Sequence, residues 1–186
     1  MAAREILPSV DQLKALTHPV RVRMLGILRL DGPATATTLA TRLGINSGAT
    51  SYHLRQLAHH GFIEDDASRG NGRERWWKAA HQMTVTGQDG APDTAEGRET
   101  LDAYMQTVAS IYTQRIQEAI AERALLPPEW QETLSLNDRV ARLTPARAAQ
   151  VKAQINDLLD DLDDEPGGEP VMFQFHVVPL AEHPPR

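Results

Sequence analysis

Residues 47–55 hold the side chains whose types and spacing invite chemistry with a partner. Ser47, Gly48, Ala49, Ser51, Tyr52 and Arg55 are small, polar or hydrogen-bonding. At helical spacing they turn outward from Thr50, Leu54, Leu57 and Ala58, which share the opposite side. A serine hydroxyl both donates and accepts, so it can meet a base edge or a phosphate. Arg55 offers a planar fork of donors that suits guanine or a phosphate, and residue type alone does not choose between them. Gly48 permits close approach of a surface, at about 1 kcal/mol of helix stability relative to alanine. A helix of this size fits the major groove of duplex DNA. The competing reading of the same residues is a solvated helix face.

The elements needed to hold that face are legible on both sides of it. Ser9 caps a helix over residues 11–16, with Gln12 in the capping-box position. His18-Pro19 interrupts it, and Pro19 opens a second helix over 20–30 with Val22, Leu25, Ile27 and Leu28 inward. Asp31-Gly32-Pro33 stops that helix. Thr35 caps a third, whose Leu39, Ala40 and Leu43 face the core, and Gly44 ends it in the left-handed conformation. Asn46 or Ser47 caps the fourth helix, and Gly61 closes it. Phe62-Ile-Glu-Asp65 then begins a strand that returns as Glu74-Arg-Trp-Trp-Lys78, around the tip Ser68-Arg-Gly-Asn-Gly-Arg73. Arg69 and Arg73, with Arg75, can reach a minor groove or flanking phosphates. Trp76 and Trp77 point to opposite faces, so one belongs to the core.

Three pieces in this order resemble one family. Pro19-Val-Arg-Val-Arg-Met-Leu25, Leu39-Ala-Thr-Arg-Leu-Gly44, and Ser51-Tyr-His-Leu-Arg-Gln-Leu57 followed by Gly61-Phe-Ile63 look like the ArsR-type winged helix-turn-helix transcriptional regulators, over about residues 10–80. The resemblance implies a dimeric DNA-binding regulator, usually a repressor, reading an inverted repeat in double-stranded DNA. It also carries a departure. Metal-sensing members have a cysteine pair where this chain has Thr35 and Thr37, neither a soft ligand. Others place Asp and His ligands on a carboxy-terminal helix, and residues 99–123 contain no histidine. No metal and no cofactor is therefore expected.

Three other features carry weaker signals. Arg21 and Arg23 suit either a phosphate or an internal ion pair. His53 reads as a structural hydrogen-bonding residue. His59-His60 diverge by about 100° on a helix and do not chelate easily.

Beyond the hairpin, residues 84–98 read as a linker. Residues 99–123 carry a stripe of Leu101, Tyr104, Met105, Val108, Ile111, Tyr112 and Ile116 at three-four spacing. So continuous a stripe needs a covering surface, either a second copy of the chain or the chain itself. A homodimer through it would set two reading helices about one DNA turn apart. Pro127-Pro128 breaks this helix, and Thr144-Pro145 opens another with Val151, Ile155, Leu158, Leu159 and Leu162 as its stripe. Residues 160–165 form an acidic run that reads as a solvated helix end, and residues 171–178 have strand composition. Tyr104, Tyr112 and Trp130 offer aromatic walls for a small organic effector.

The expected fold is mainly α with a small β component. It comprises a winged helix-turn-helix domain over residues 1–83, the linker 84–98, and a helical dimerisation and accessory region over 99–186 ending in a late β-strand. Bulk properties agree. Net charge is −6, yet residues 11–80 carry ten Lys/Arg against six Asp/Glu while residues 81–186 carry eight against eighteen. The half holding the reading helix is thus +4 and the other −10. There is no cysteine, which removes disulfides and thiolate chemistry together. No apolar run approaches the roughly 20 residues needed to span a bilayer, and the start lacks a secretory pattern, so no membrane and a cytoplasmic location are expected. No phosphate loop, His-x-x-x-His pair or nucleophile elbow marks an enzyme. The alternative to a DNA reader is a winged-helix protein-interaction module.

Overall fold

The computed structural model describes residues 5–69, 74–85 and 94–180. Two compact units divide between Leu134 and Ser135. The first is built mainly of helices with two small sheets, and the described residues of the second hold one helix.

The first unit starts with the short strand β1 (Glu5–Ile6) and helix α1 (Val10–Leu16). Ser9 and Gln12 form the reciprocal capping box that their spacing predicts. α2 (Pro19–Leu30) follows, capped by the His18 side chain, which accepts from the Val20 N–H. Strand β2 (Ala34–Thr35) then runs directly into α3 (Ala36–Leu43), and Thr35 caps that helix through its hydroxyl. α4 (Ser47–His59), β3 (Ile63–Asp65) and β4 (Trp76–Ala79) complete the central part. The strands form a three-stranded antiparallel sheet in the order β2–β4–β3. The hairpin is therefore joined by a third strand that two residues could not announce in the sequence.

The core lies where α1–α4 meet this sheet. Leu16, Met24, Leu39, Leu54, Leu57 and Phe62 are essentially closed to solvent. Each comes from an apolar position at helical spacing, except Phe62, which the left-handed Gly61 turns back under α4. Trp77 is the buried member of the tryptophan pair, because its strand lies between β2 and β3 and that face meets the helices.

Residues of the expected linker are partly structured. Strand β5 (Met83–Thr84) pairs in parallel with β1, and residues 86–93 lie outside the described part. α5 (Ala95–Glu122) begins one turn before the predicted residue 99, because Thr94 accepts from the Gly97 N–H and caps it there. α5 packs on α1 and α2, and Thr107 donates to the Thr17 carbonyl at 3.0 Å. The Arg115 guanidinium lies over Gly26, where a Cβ would stand 2.8 Å from Nη2. A short 3-10 turn and α6 (Pro128–Thr133) end the unit. α6 was not anticipated, although Pro at its first position is its signal.

The second unit contains α7 (Pro145–Asp160), capped by Thr144 as expected. Its Val151, Ile155 and Leu159 are half-buried while Leu158 and Leu162 are exposed. The late β-strand is a correction. Residues 171–178 join no ladder and are not a strand. β composition favours a half-buried pleated surface, and without a neighbouring edge it has nothing to pair with.

Candidate nucleic-acid interface

The turn between α3 and α4 is set by local hydrogen bonds. Gly44 sits at φ 65° and its N–H reaches the last carbonyls of α3. Asn46, rather than Ser47, is the cap of α4. Its side chain accepts from the Ala49 N–H at 2.7 Å, and its carbonyl accepts from the Thr50 hydroxyl at 3.0 Å. Thr50, Leu54 and Leu57 are then buried on one side. At 100° per residue the opposite side carries Gly48, Tyr52, Arg55 and His59, all exposed. Ser47 is exposed in the first turn, while Ala49 and Ser51 are half-buried flanks of the stripe. Arg55 has no ion-pair partner among the described residues. His59 was not singled out for this face. Its offset of four from Arg55 and seven from Tyr52 was the available signal.

Residues 16–66 match the helix-turn-helix domain family. The match spans α2 to the first strand of the hairpin, and with the adjoining sheet the fold is a winged helix-turn-helix. Among solved structures, the chain resembles the transcriptional regulator Tm0710 from Thermotoga maritima, at 10% identity and a TM-score of 0.32, covering 76% of this chain and 73% of that one. It also resembles RV1404 from Mycobacterium tuberculosis at 16% identity and a TM-score of 0.33, covering 79% and 82%. No curated protein matches it.

In the helix-turn-helix the turn places α4, and the hairpin that follows carries Arg69 and Arg75. Asp66 organises the wing's base. Its N–H donates to the Trp76 carbonyl at 2.9 Å, and its carboxylate accepts the Ser68 hydroxyl at 2.6 Å. That hydroxyl holds the Asp66 carboxyl below the usual range, against the effect of burial, which acts upward. Arg69 stands 3.6 Å from the Asp66 carboxylate and over the ring of Trp76. The Arg75 guanidinium is engaged twice, donating from Nε to Asp65 at 2.7 Å and lying over the Trp77 ring at 4.1 Å. Arg69 keeps a side chain 56% exposed and can still reach outward. Arg73 and the tip 70–73 lie outside the described residues.

On α4 itself, His53 turns sideways rather than outward. Its ring is 4.5 Å from that of His18 and 5.4 Å from that of Tyr52. Burial above all lowers the affinity of both His18 and His53 for a proton, followed by the charge of Arg21 at His18 and by His18 and then Arg21 at His53. The remaining expected site residues divide. Ile111 is buried and Tyr104 packs against the core, so the first unit itself covers that side of α5. Leu101, Val108, Tyr112 and Ile116 are half-buried on the adjoining flank, and Met105 there is 55% exposed. Arg29 is also interior. It donates to the His81 carbonyl and the Thr84 hydroxyl, both at 2.9 Å, beside Tyr104 and Tyr112.

A cleft of about 180 Å³ opens among Arg23, Ile27, Leu43, Ile111 and Arg115. It falls below the roughly 300 Å³ usual for small-molecule sites, and Tyr104, Tyr112 and Trp130 do not line it. No helix among the described residues is long and apolar enough to cross a membrane.

Proposed function

We propose that this chain is a DNA-binding transcription regulator of the ArsR type, reading an inverted-repeat operator as a homodimer and acting as a repressor. The observation that carries this reading is the stripe on α4. Gly48, Tyr52 and Arg55 face solvent from a helix whose other side is locked into the core. Ser47, Gly48, Tyr52 and Arg55 enter the major groove, Ala49 and Ser51 border it, and Arg69 and Arg73 of the wing hold phosphates. Residues 1–83 are the reading part, and residues 99–186 serve assembly.

The second copy is assigned to the flank of α5 that carries Leu101, Met105, Val108, Tyr112 and Ile116. Tyr104 and Ile111 are already covered within the chain, so the dimer face is narrower than the full stripe. This arrangement would set two reading helices on successive turns of one DNA face.

Selection of bound fragments from a random-sequence duplex pool tests the reading. The expected result is enrichment of an inverted repeat with half-sites about 10 base pairs apart, centre to centre. Binding should weaken steeply with salt. A pool without enrichment would overturn it and leave the protein-interaction module.

A further inference from the structure

One group of side chains is not absorbed by the reading stripe. It lies between the first turn of α2 and the middle of α4. His18 uses Nδ1 to accept the Val20 N–H at 3.2 Å. The His53 ring stands 4.5 Å from the His18 ring. Arg21 Nε and His53 Nδ1 are both shut off from solvent and have no hydrogen-bond partner among the described residues. The guanidinium of Arg21 makes one long bond, from Nη2 to the Lys14 carbonyl at 3.4 Å, and no carboxylate pairs with it among those residues.

The groups around it that are charged near neutral pH are cations, apart from Asp11. α2 contributes Arg21, and α4 contributes Tyr52, His53 and His60. From α1 come Lys14 and Asp11, which pair with each other at 3.6 Å, and Asp11 acts on His60 rather than on His18 or His53. The three central side chains are each partly at the surface, and Tyr52 joins them to the exposed stripe. Donors converge here beside a groove-reading helix with no acid to answer them. A phosphate oxygen supplies the missing acceptor.

We propose that His18, Arg21 and His53 form a clamp for one phosphodiester of duplex DNA, and that DNA bound there draws a proton onto the His53 imidazole. The inference rests on the DNA-binding reading above. In the free protein, burial first, then His18 and Arg21, lower the affinity of the His53 imidazole for a proton. A phosphate set against Arg21 opposes that charge and offers an acceptor to the His18 Nε2–H and to protonated His53. The complex then binds more protons than the free protein, so affinity rises as pH falls.

Fluorescence anisotropy with a random-sequence duplex tests this, because a phosphate contact is independent of sequence. Wild type, Arg21→Gln, Arg21→Lys, His53→Gln and His53→Asn are titrated across salt and from about pH 8 to below the ordinary histidine value of about 6.5. Melting curves confirm the fold of each. Wild-type binding should tighten as pH falls, and both His53 variants should flatten that dependence. Arg21→Gln should reduce the slope of log affinity against log salt by about one, while Arg21→Lys retains it. Imidazole resonances of His18 and His53 should move with duplex. Their movement with inorganic phosphate alone, and not with duplex, would overturn the assignment. So would a native salt slope in folded Arg21→Gln or a wild-type pH dependence in folded His53 variants. If wild type binds no duplex, both readings fall. If it enriches an operator while these variants match it, the clamp alone falls.

Discussion

Leu54→Ala and Arg55→Ala, adjacent on α4, separate holding the helix from reading with it. Leu54 is 0% exposed and belongs to a core in which Leu39, Leu57 and Met24 come from three interlocked helices. A site enclosed by several elements collapses poorly around a cavity, so the loss falls in the upper half of the range for Leu→Ala, about 3–4 kcal/mol. For a unit of this size that lowers the melting temperature by roughly 10–20 °C. Arg55 is exposed and has no ion-pair partner among the described residues, so its removal should change stability by no more than about 0.5 kcal/mol. DNA binding reverses the order. A lost bidentate base contact weakens the complex by about 1–3 kcal/mol, or roughly 5–150-fold, whereas Leu54→Ala measured well below its own melting point should bind nearly as wild type. Calorimetric melts and anisotropy on the selected operator measure the two effects. An Arg55→Ala protein that binds as wild type would remove α4 as the reader. A Leu54→Ala loss below about 1 kcal/mol would refute the packing argument.

Other perturbations test the parts around that helix. Gly44→Ala meets open space but must adopt φ 65°, so strain alone should cost about 1–2 kcal/mol in urea unfolding; an unchanged midpoint would mean another backbone conformation. Asp66 is held below the ordinary carboxyl value by Ser68. A carboxyl lowered on folding stabilises above its unfolded value of about 3.9 and loses that contribution as pH falls through its folded value. Over that acid window wild type should lose stability faster than Asp66→Asn, and parallel acid limbs would contradict the wing geometry. Arg29→Ala leaves the His81 carbonyl and Thr84 hydroxyl without this donor, and should cost about 1–3 kcal/mol while speeding hydrogen exchange at Val85, which donates to the Ile6 carbonyl. Unchanged exchange there would separate Arg29 from the β1–β5 pair.

Much of the candidate site's framework was legible because its determinants are local. A cap needs only a side chain and an N–H three residues on, so Ser9, Thr35 and Thr144 announced their helices directly. The 3.6 period separated Thr50, Leu54 and Leu57 from Tyr52 and Arg55. It also placed His59 on the outward stripe, although its neighbour His60 drew attention to metal chemistry instead. Less legible were the two-residue strands, since neither β2 nor β5 is long enough to show a period. The strand composition of residues 171–178 misled because pairing is a property of two segments, not one.

The sequence by itself determined which residues turn inward on α3 and α4 and most of those on α2, Met24 excepted, close to where those helices start and stop, and that one tryptophan of the pair is core. All of these follow from the spacing of a few neighbours along one chain. Only the tertiary structure decided that Trp77 is that residue, by setting β4 between β2 and β3. It also decided how α5 divides its stripe. A periodic apolar face demands cover, but periodicity does not name the surface, and α1 and α2 take the Tyr104 and Ile111 side. The same packing brought His18 to His53 across 35 positions of sequence and left Arg21 beside them without an acid. Spacing along a chain cannot express such a meeting, because it is produced by two helices closing on a common core.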